Sequence, residues 1–150
     1  MRAEELMVGD YVRVANDVCI KKGAIVQVRR VDADAATRLP ERELKGAVIC
    51  FDIADEDRFT GGVWCKYLEP IPLSNEILEK IGFTCCSNYA SILVRDDSMN
   101  VLWQAKYVPF TSMIEVKNKN TGEKVKVLCY SVHELQHALK ICGIQKEITL

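Results

Sequence analysis

The chain has 150 residues at 16.9 kDa, 49% of them hydrophobic and 27% charged, a composition that excludes intrinsic disorder and fits one globular domain or two very small ones. A formal net charge of -1 removes the positive excess on which binding to a phosphate backbone rests. No apolar run approaches the roughly 20 residues that span a bilayer, and the acidic opening Met1-Arg2-Ala3-Glu4-Glu5 has no signal-peptide apolar region behind it, so a cytoplasmic protein that avoids membranes is expected.

The first part of the chain reads as short strands. Asp10-Tyr11-Val12-Arg13-Val14 alternates polar and apolar residues, residues 24–31 continue the pattern, and Lys21-Lys22-Gly23 supplies the turn between them. Residues 32–45 are polar and hold Pro40, which predicts a loop before a strand over 46–53. Asp55-Glu56-Asp57 and Gly61-Gly62 mark another turn before Val63-Trp64-Cys65. Four short strands predict a small β-barrel over residues 1–70. Tyr11, Trp64 and Tyr67 would either fill its core or form an aromatic ligand patch on it.

In Glu69-Pro70-Ile71-Pro72-Leu73 each proline pushes the preceding residue out of the helical region, so the chain crosses this joint extended. A linking helix is expected next, with Ser74 as N-cap, Glu76 in the first turn, an Ile77, Leu78 and Ile81 stripe and Gly82 as the stop. Residues 89–95 and 101–108 flank the turn Asp96-Asp97-Ser98-Met99-Asn100, and residues 112–117 and 123–130 flank Asn118-Lys119-Asn120-Thr121-Gly122, which predicts two hairpins. Ser131 caps a last helix that ends near Cys142 with Gly143 as its stop, and Glu147-Ile148-Thr149-Leu150 reads as a short extended tail.

One stretch carries a chemical signature. His133-Glu134-Leu135-Gln136-His137 matches H-E-x-x-H, in which two histidines one helical turn apart bind a zinc ion and the glutamate acts as general base on a bound water. These are the only two histidines. A catalytic zinc needs a third protein ligand, and the short sequence after His137 offers only Glu147 as a carboxylate. Helical periodicity also places Val132, Leu135, Ala138, Leu139 and Cys142 on one apolar face and His133, His137 and Lys140 on the other, which suits a solvated polar face. No catalytic, cofactor-binding or metal residue is therefore assigned. A minimal zinc hydrolase using His133, His137 and Glu134 stands as the alternative reading.

Other constellations are weaker. Lys117, Lys119, Lys124 and Lys126 flank one turn at period two and could touch phosphate, although charged residues also blunt exposed strands, with Ile114, Val116, Val125 and Val127 facing a core behind them. The seven cysteines are odd in number and irregular in spacing, with no C-x-x-C, which fits neither a disulfide framework nor a zinc ribbon. Most are expected to be buried thiols, and Cys19, Cys50 and Cys129 sit in apolar runs as small hydrophobes. The adjacent Cys85 and Cys86 point to opposite sides of an extended chain, which leaves one of them the more exposed and more oxidisable. Phosphate-loop, dinucleotide-binding, nucleophile-elbow and EF-hand patterns are absent.

Three stretches resemble a family of small uncharacterised proteins encoded in Bacteroides-type prophages and other mobile elements: Glu4-Glu5-Leu6-Met7-Val8-Gly9-Asp10-Tyr11-Val12, the segment from Leu68-Glu69-Pro70-Ile71-Pro72 to Lys80-Ile81-Gly82-Phe83, and Val132-His133-Glu134-Leu135-Gln136-His137-Ala138-Leu139. The resemblance implies no particular activity. It also implies that the zinc signature is fortuitous, because the family's closing helix commonly carries other polar residues at the places of Glu134 and His137. Gly9-Asp10-Tyr11-Val12-Arg13-Val14 and Lys22-Gly23 are further similar to SH3-like or KOW-type small barrels.

The expected architecture is α+β: an SH3-like β-barrel over residues 1–70, then a linking helix, an antiparallel β-meander and a packed C-terminal helix over residues 71–150. The expected function is a non-enzymatic interaction module for a protein partner, with zinc hydrolysis or weak nucleic-acid binding as alternatives and no cofactor.

Overall fold

The computed structural model describes residues 1–16, 20–39, 42–52, 59–144, 148 and 150, with the backbone alone described at 35–39, 42–52 and 59–62. The chain is mixed α+β, with two helices and two antiparallel five-stranded sheets among the described residues, and it divides into compact units at Met1–Ile71 and Pro72–Leu150. No helix among the described residues is long and apolar enough to cross a membrane.

The first unit holds β1 (Tyr11–Val14), β2 (Ile25–Leu39), β3 (Arg42–Asp52), β4 (Phe59–Trp64) and β5 (Leu68–Glu69), in the order β4-β3-β2-β1-β5. The period-two pattern acts as expected. Val12, Val14, Val26 and Val28 are fully buried on one face and join Ala3, Leu6, Ile20, Val63, Cys65 and Leu68 in a core. The entry to β1 is set by Gly9, whose φ of +98° favours glycine, and by Asp10, whose buried carboxylate accepts the Met7 N–H at 2.7 Å. Gly9 N–H and Asp10 C=O then bond Val28 on β2, each at 2.8 Å. Tyr11 is core, while Trp64 and Tyr67 are half-buried.

Two expectations for this unit are corrected. Residues 32–39 and 42–45 are strand rather than loop, because β2 and β3 go on pairing from Ala36/Lys45 to Leu39/Arg42, with register shifts after Val28 and after Asp32. Strand pairing is a property of two segments together, so a polar composition in each alone did not reveal it. The sheet also forms no closed barrel. Its edges are β4 and β5, and β5 pairs with β1 through Arg13/Glu69 and Val14/Leu68 only, an edge too short to offer β4 a ladder. The expected turn at Asp55-Glu56-Asp57, together with Pro40, Cys19, Glu147 and Thr149, lies outside the described residues, as does the side chain of Cys50.

The second unit holds α1 (Asn75–Ile81), β6 (Thr84–Cys85), β7 (Ala90–Arg95), β8 (Val101–Val108), β9 (Met113–Asn118), β10 (Lys124–Leu128) and α2 (Val132–Ile141). Its sheet is a simple meander in the order β10-β9-β8-β7-β6. Both helices end alike. Gly82 and Gly143 adopt φ of +96° and +74°, and the apolar residue after each donates its N–H back to the last turn, Phe83 to Leu78 O at 2.8 Å and Ile144 to Leu139 O at 3.0 Å. Ser74 Oγ caps α1 by accepting the Ile77 N–H at 3.3 Å. The core contains Ile92, Ala105, Tyr107, Ile114 and Val116 from the sheet and Val132, Leu135, Ala138 and Leu139 from α2.

Candidate functional site

The H-E-x-x-H stretch opens α2, and the structure gives its residues structural contacts. Glu134 Oε2 accepts three hydrogen bonds, from Tyr130 N–H at 2.7 Å, Ser131 N–H at 3.1 Å and Ser131 Oγ–H at 3.0 Å. This is the returning half of a capping box, in which the glutamate satisfies backbone donors that the first helical turn leaves without partners. The Ser131 hydroxyl also lies within hydrogen-bond distance of His133 Nδ1, at 2.9 Å. His133 and His137 do come together, edge to face with ring centroids 5.8 Å apart.

His133 is nevertheless 6% exposed, so the expectation that it lies on a solvated face is corrected. A single-helix periodicity does not register which other segments pack against the helix. Among the described residues no three His, Cys, Asp or Glu side chains are grouped where one metal ion would bridge them.

The thiols fall into two environments. Burial pushes the Cys129 thiol up to about 12, with the Glu134 carboxylate adding to the effect, and burial also raises Cys65 and Cys142. Such thiols stay protonated at neutral pH and are poor nucleophiles. Of the adjacent pair, Cys86 is exposed, while half-buried Cys85 approaches Asn75 O at 3.6 Å and is raised by desolvation and then by Glu79 and Cys86.

The lysines assemble on the outer face of the meander. The register places three rows across it: Val108, Met113 and Leu128; Lys106, Glu115 and Lys126; Gln104, Lys117 and Lys124. Glu115 is shared between Lys124 at 3.8 Å and Lys126 at 3.5 Å, and Lys106 Nζ lies 4.3 Å from the Tyr89 ring centroid. Of the four lysines singled out from sequence, Lys117, Lys124 and Lys126 share this face. Lys119 lies beyond β9, with its N–H bonded to Leu102 O on β8.

Behind the lysines, Ile114 and Val116 are buried as expected. Val125 is 41% exposed and Val127 half-buried, because β10 is the sheet edge and has a neighbour on one side only. Sequence reasoning passed over Lys106, Glu115, Leu128, Tyr130 and Phe110. Alternation of Lys106 with buried Ala105 and Tyr107 was the available signal for the first. Phe110, in the 3-10 turn Pro109–Thr111 between β8 and β9, had none.

No family model, no curated protein and no solved structure matches this chain.

Proposed function

We propose that the chain is a non-enzymatic protein-interaction module whose second unit carries the binding surface. The observation behind this reading is the apolar end of the meander's outer face. Leu128 and Tyr130 are 52% and 60% exposed, and Phe110 is 98% exposed beside the half-buried Val108/Met113 pair. A lone exposed hydrophobe is ordinary, but several at one end of a sheet expose apolar area that a partner would remove from water. The catalytic alternative has the weaker support, since the carboxylate it needs as a base already serves three donors in the helix cap.

The first unit completes the proposal as an open relative of the SH3-like fold. Support comes from its strand order, in which β5 returns to pair with β1 after one 3-10 turn at Cys65–Tyr67. The likeness to the mobile-element family is proposed on the same footing and favours the same reading of α2. A cytoplasmic setting is supported by the free state of Cys65, Cys85, Cys86, Cys129 and Cys142.

A photo-crosslinking amino acid in place of Leu128, used in extract of the native cell, tests the reading. Discrete protein adducts from this position, and none from a control in place of Asp97, are expected. Adducts to nucleic acid alone, or none, would overturn it.

A further inference from the structure

The backbone of β10 has a direction that its side chains do not reveal. In an antiparallel pair, opposed residues alternate between hydrogen-bonded and non-bonded positions. Cys129 N–H donates to Ser112 O at 2.7 Å and Asn118 N–H donates to Glu123 O at 2.9 Å, which makes both of these bonded positions of the β9–β10 ladder. In the same register Val125/Val116 and Val127/Ile114 are bonded pairs too. The N–H and C=O groups of Lys124, Lys126 and Leu128 therefore turn toward the other side, where β10 has no neighbouring strand among the described residues. All three residues are exposed.

The chain itself uses the end of this edge. Leu73 N–H donates to Tyr130 O at 3.3 Å, and Pro72 bridges Ser131 in antiparallel sense. Tyr130 is the next position of the same alternation, so a piece of backbone is already added to this side of the sheet. The added piece ends there because Ser74 caps α1 and the chain leaves as a helix.

Resting on the interaction reading above, we propose that the free edge of β10 binds an extended acidic segment of a partner protein as an added strand. Backbone bonds to Lys124, Lys126 and Leu128 supply the attachment, and the side chains beside them select the sequence. The outer face carries Lys106, Lys117, Lys124 and Lys126 against the single acid Glu115, so carboxylates complement it. At Leu128, with Met113 beside it, the complement is apolar. The partner pattern is acid, acid, apolar at every second residue. A second copy of this chain is a poor occupant, because an antiparallel pairing of two β10 edges about their centre sets Lys126 against Lys126.

The test uses the intact protein and fluorescent peptides that alternate threonine with Glu, Glu and Leu, made in both chain directions and read by anisotropy. One direction should bind. Methylating one alternating set of its amide nitrogens should weaken binding roughly tenfold or more, while methylating the other set leaves it unchanged, since an added strand bonds β10 along one side only. Lys126→Glu should weaken the same peptide by a comparable factor.

Equal effects of the two methylated sets would show docking by charge alone and overturn strand addition. So would a single-stranded oligonucleotide that displaces the peptide with a steep salt dependence. Absence of peptide binding while Leu128 still crosslinks to protein would overturn the edge proposal and leave the interaction reading standing; absence of both would overturn both.

Discussion

The two sheets have the same number of strands and manage their edges differently. In the first unit the return of β5 to β1 leaves a two-residue strand at one edge, and β4 lies at the other beside a strand with a shifted register. In the second unit one edge, β6, is also two residues long, but the other is the five-residue β10 with an unbroken ladder behind it. Short or irregular edges offer little to a passing strand, whereas a regular edge invites pairing unless charge opposes it. On the proposed reading, the exposed Lys124 and Lys126 both guard β10 and define which segment it accepts. On that reading the recognition surface therefore lies in the second unit.

The sharpest way to break this contrast is to remove the packing under the second sheet. Ile114 is fully buried on β9, and Ile114→Ala should cost about 2–5 kcal/mol. The two tryptophans allow the effect to be located. Trp103 reports the second unit once Trp64→Phe silences the first, and Trp103→Phe gives the converse, so the thermal transition seen by Trp103 should fall further than that seen by Trp64.

Alkali should act next. The Cys129 thiol, raised from its ordinary 9.0 to about 12, contributes stability that is fully present below pH 9 and is lost as the pH climbs toward 12. The loss approaches about 1.4 kcal/mol per pH unit within that window. Cys65 and Cys142 are raised by burial and push in the same direction. Urea unfolding of Cys129→Ala between pH 8 and 11 should show a shallower decline than the parent; an unchanged slope would remove Cys129 as its cause.

A smaller effect separates the capping and catalytic readings of α2. Glu134→Ala leaves Tyr130 and Ser131 N–H without their acceptor and should destabilise the protein by about 1–2 kcal/mol. The loss should be present in protein stripped of metal by chelation and should not grow when zinc is returned. A loss that appears only with added zinc would favour the metal reading.

Features that span a few residues were legible in the amino-acid order. Ser74, Gly82, Ser131 and Gly143 punctuate the two helices through side-chain and backbone bonds that close over a single turn, and each occupies the cap or stop expected of it. The turn at 96–100 is likewise local. Asp96 Oδ1 accepts Asn100 N–H at 2.8 Å, and hydrogen bonds from Asn100, its side chain first, hold the Asp96 carboxyl below its usual range. The alternation of Val12 with Val14 and of Ile114 with Val116 marked core-facing strands because a pleated strand has a strict period of two.

Relations between distant segments were decided by the tertiary structure. The extension of β2 and β3 into a long hairpin, the return of β5 to β1, the meeting of Pro72–Leu73 with Tyr130 and Ser131, the burial of His133 and the entry of Lys106 into the lysine face all depend on which backbone lies beside which. From the sequence by itself came the α+β composition, the helix boundaries, the hairpins of the second unit and the near-neutral net charge. Which strand ends the sheet, and so which row of N–H and C=O groups has no neighbouring strand among the described residues, came only from the fold, because a strand's own residues specify its faces and its pairing partners specify its edges.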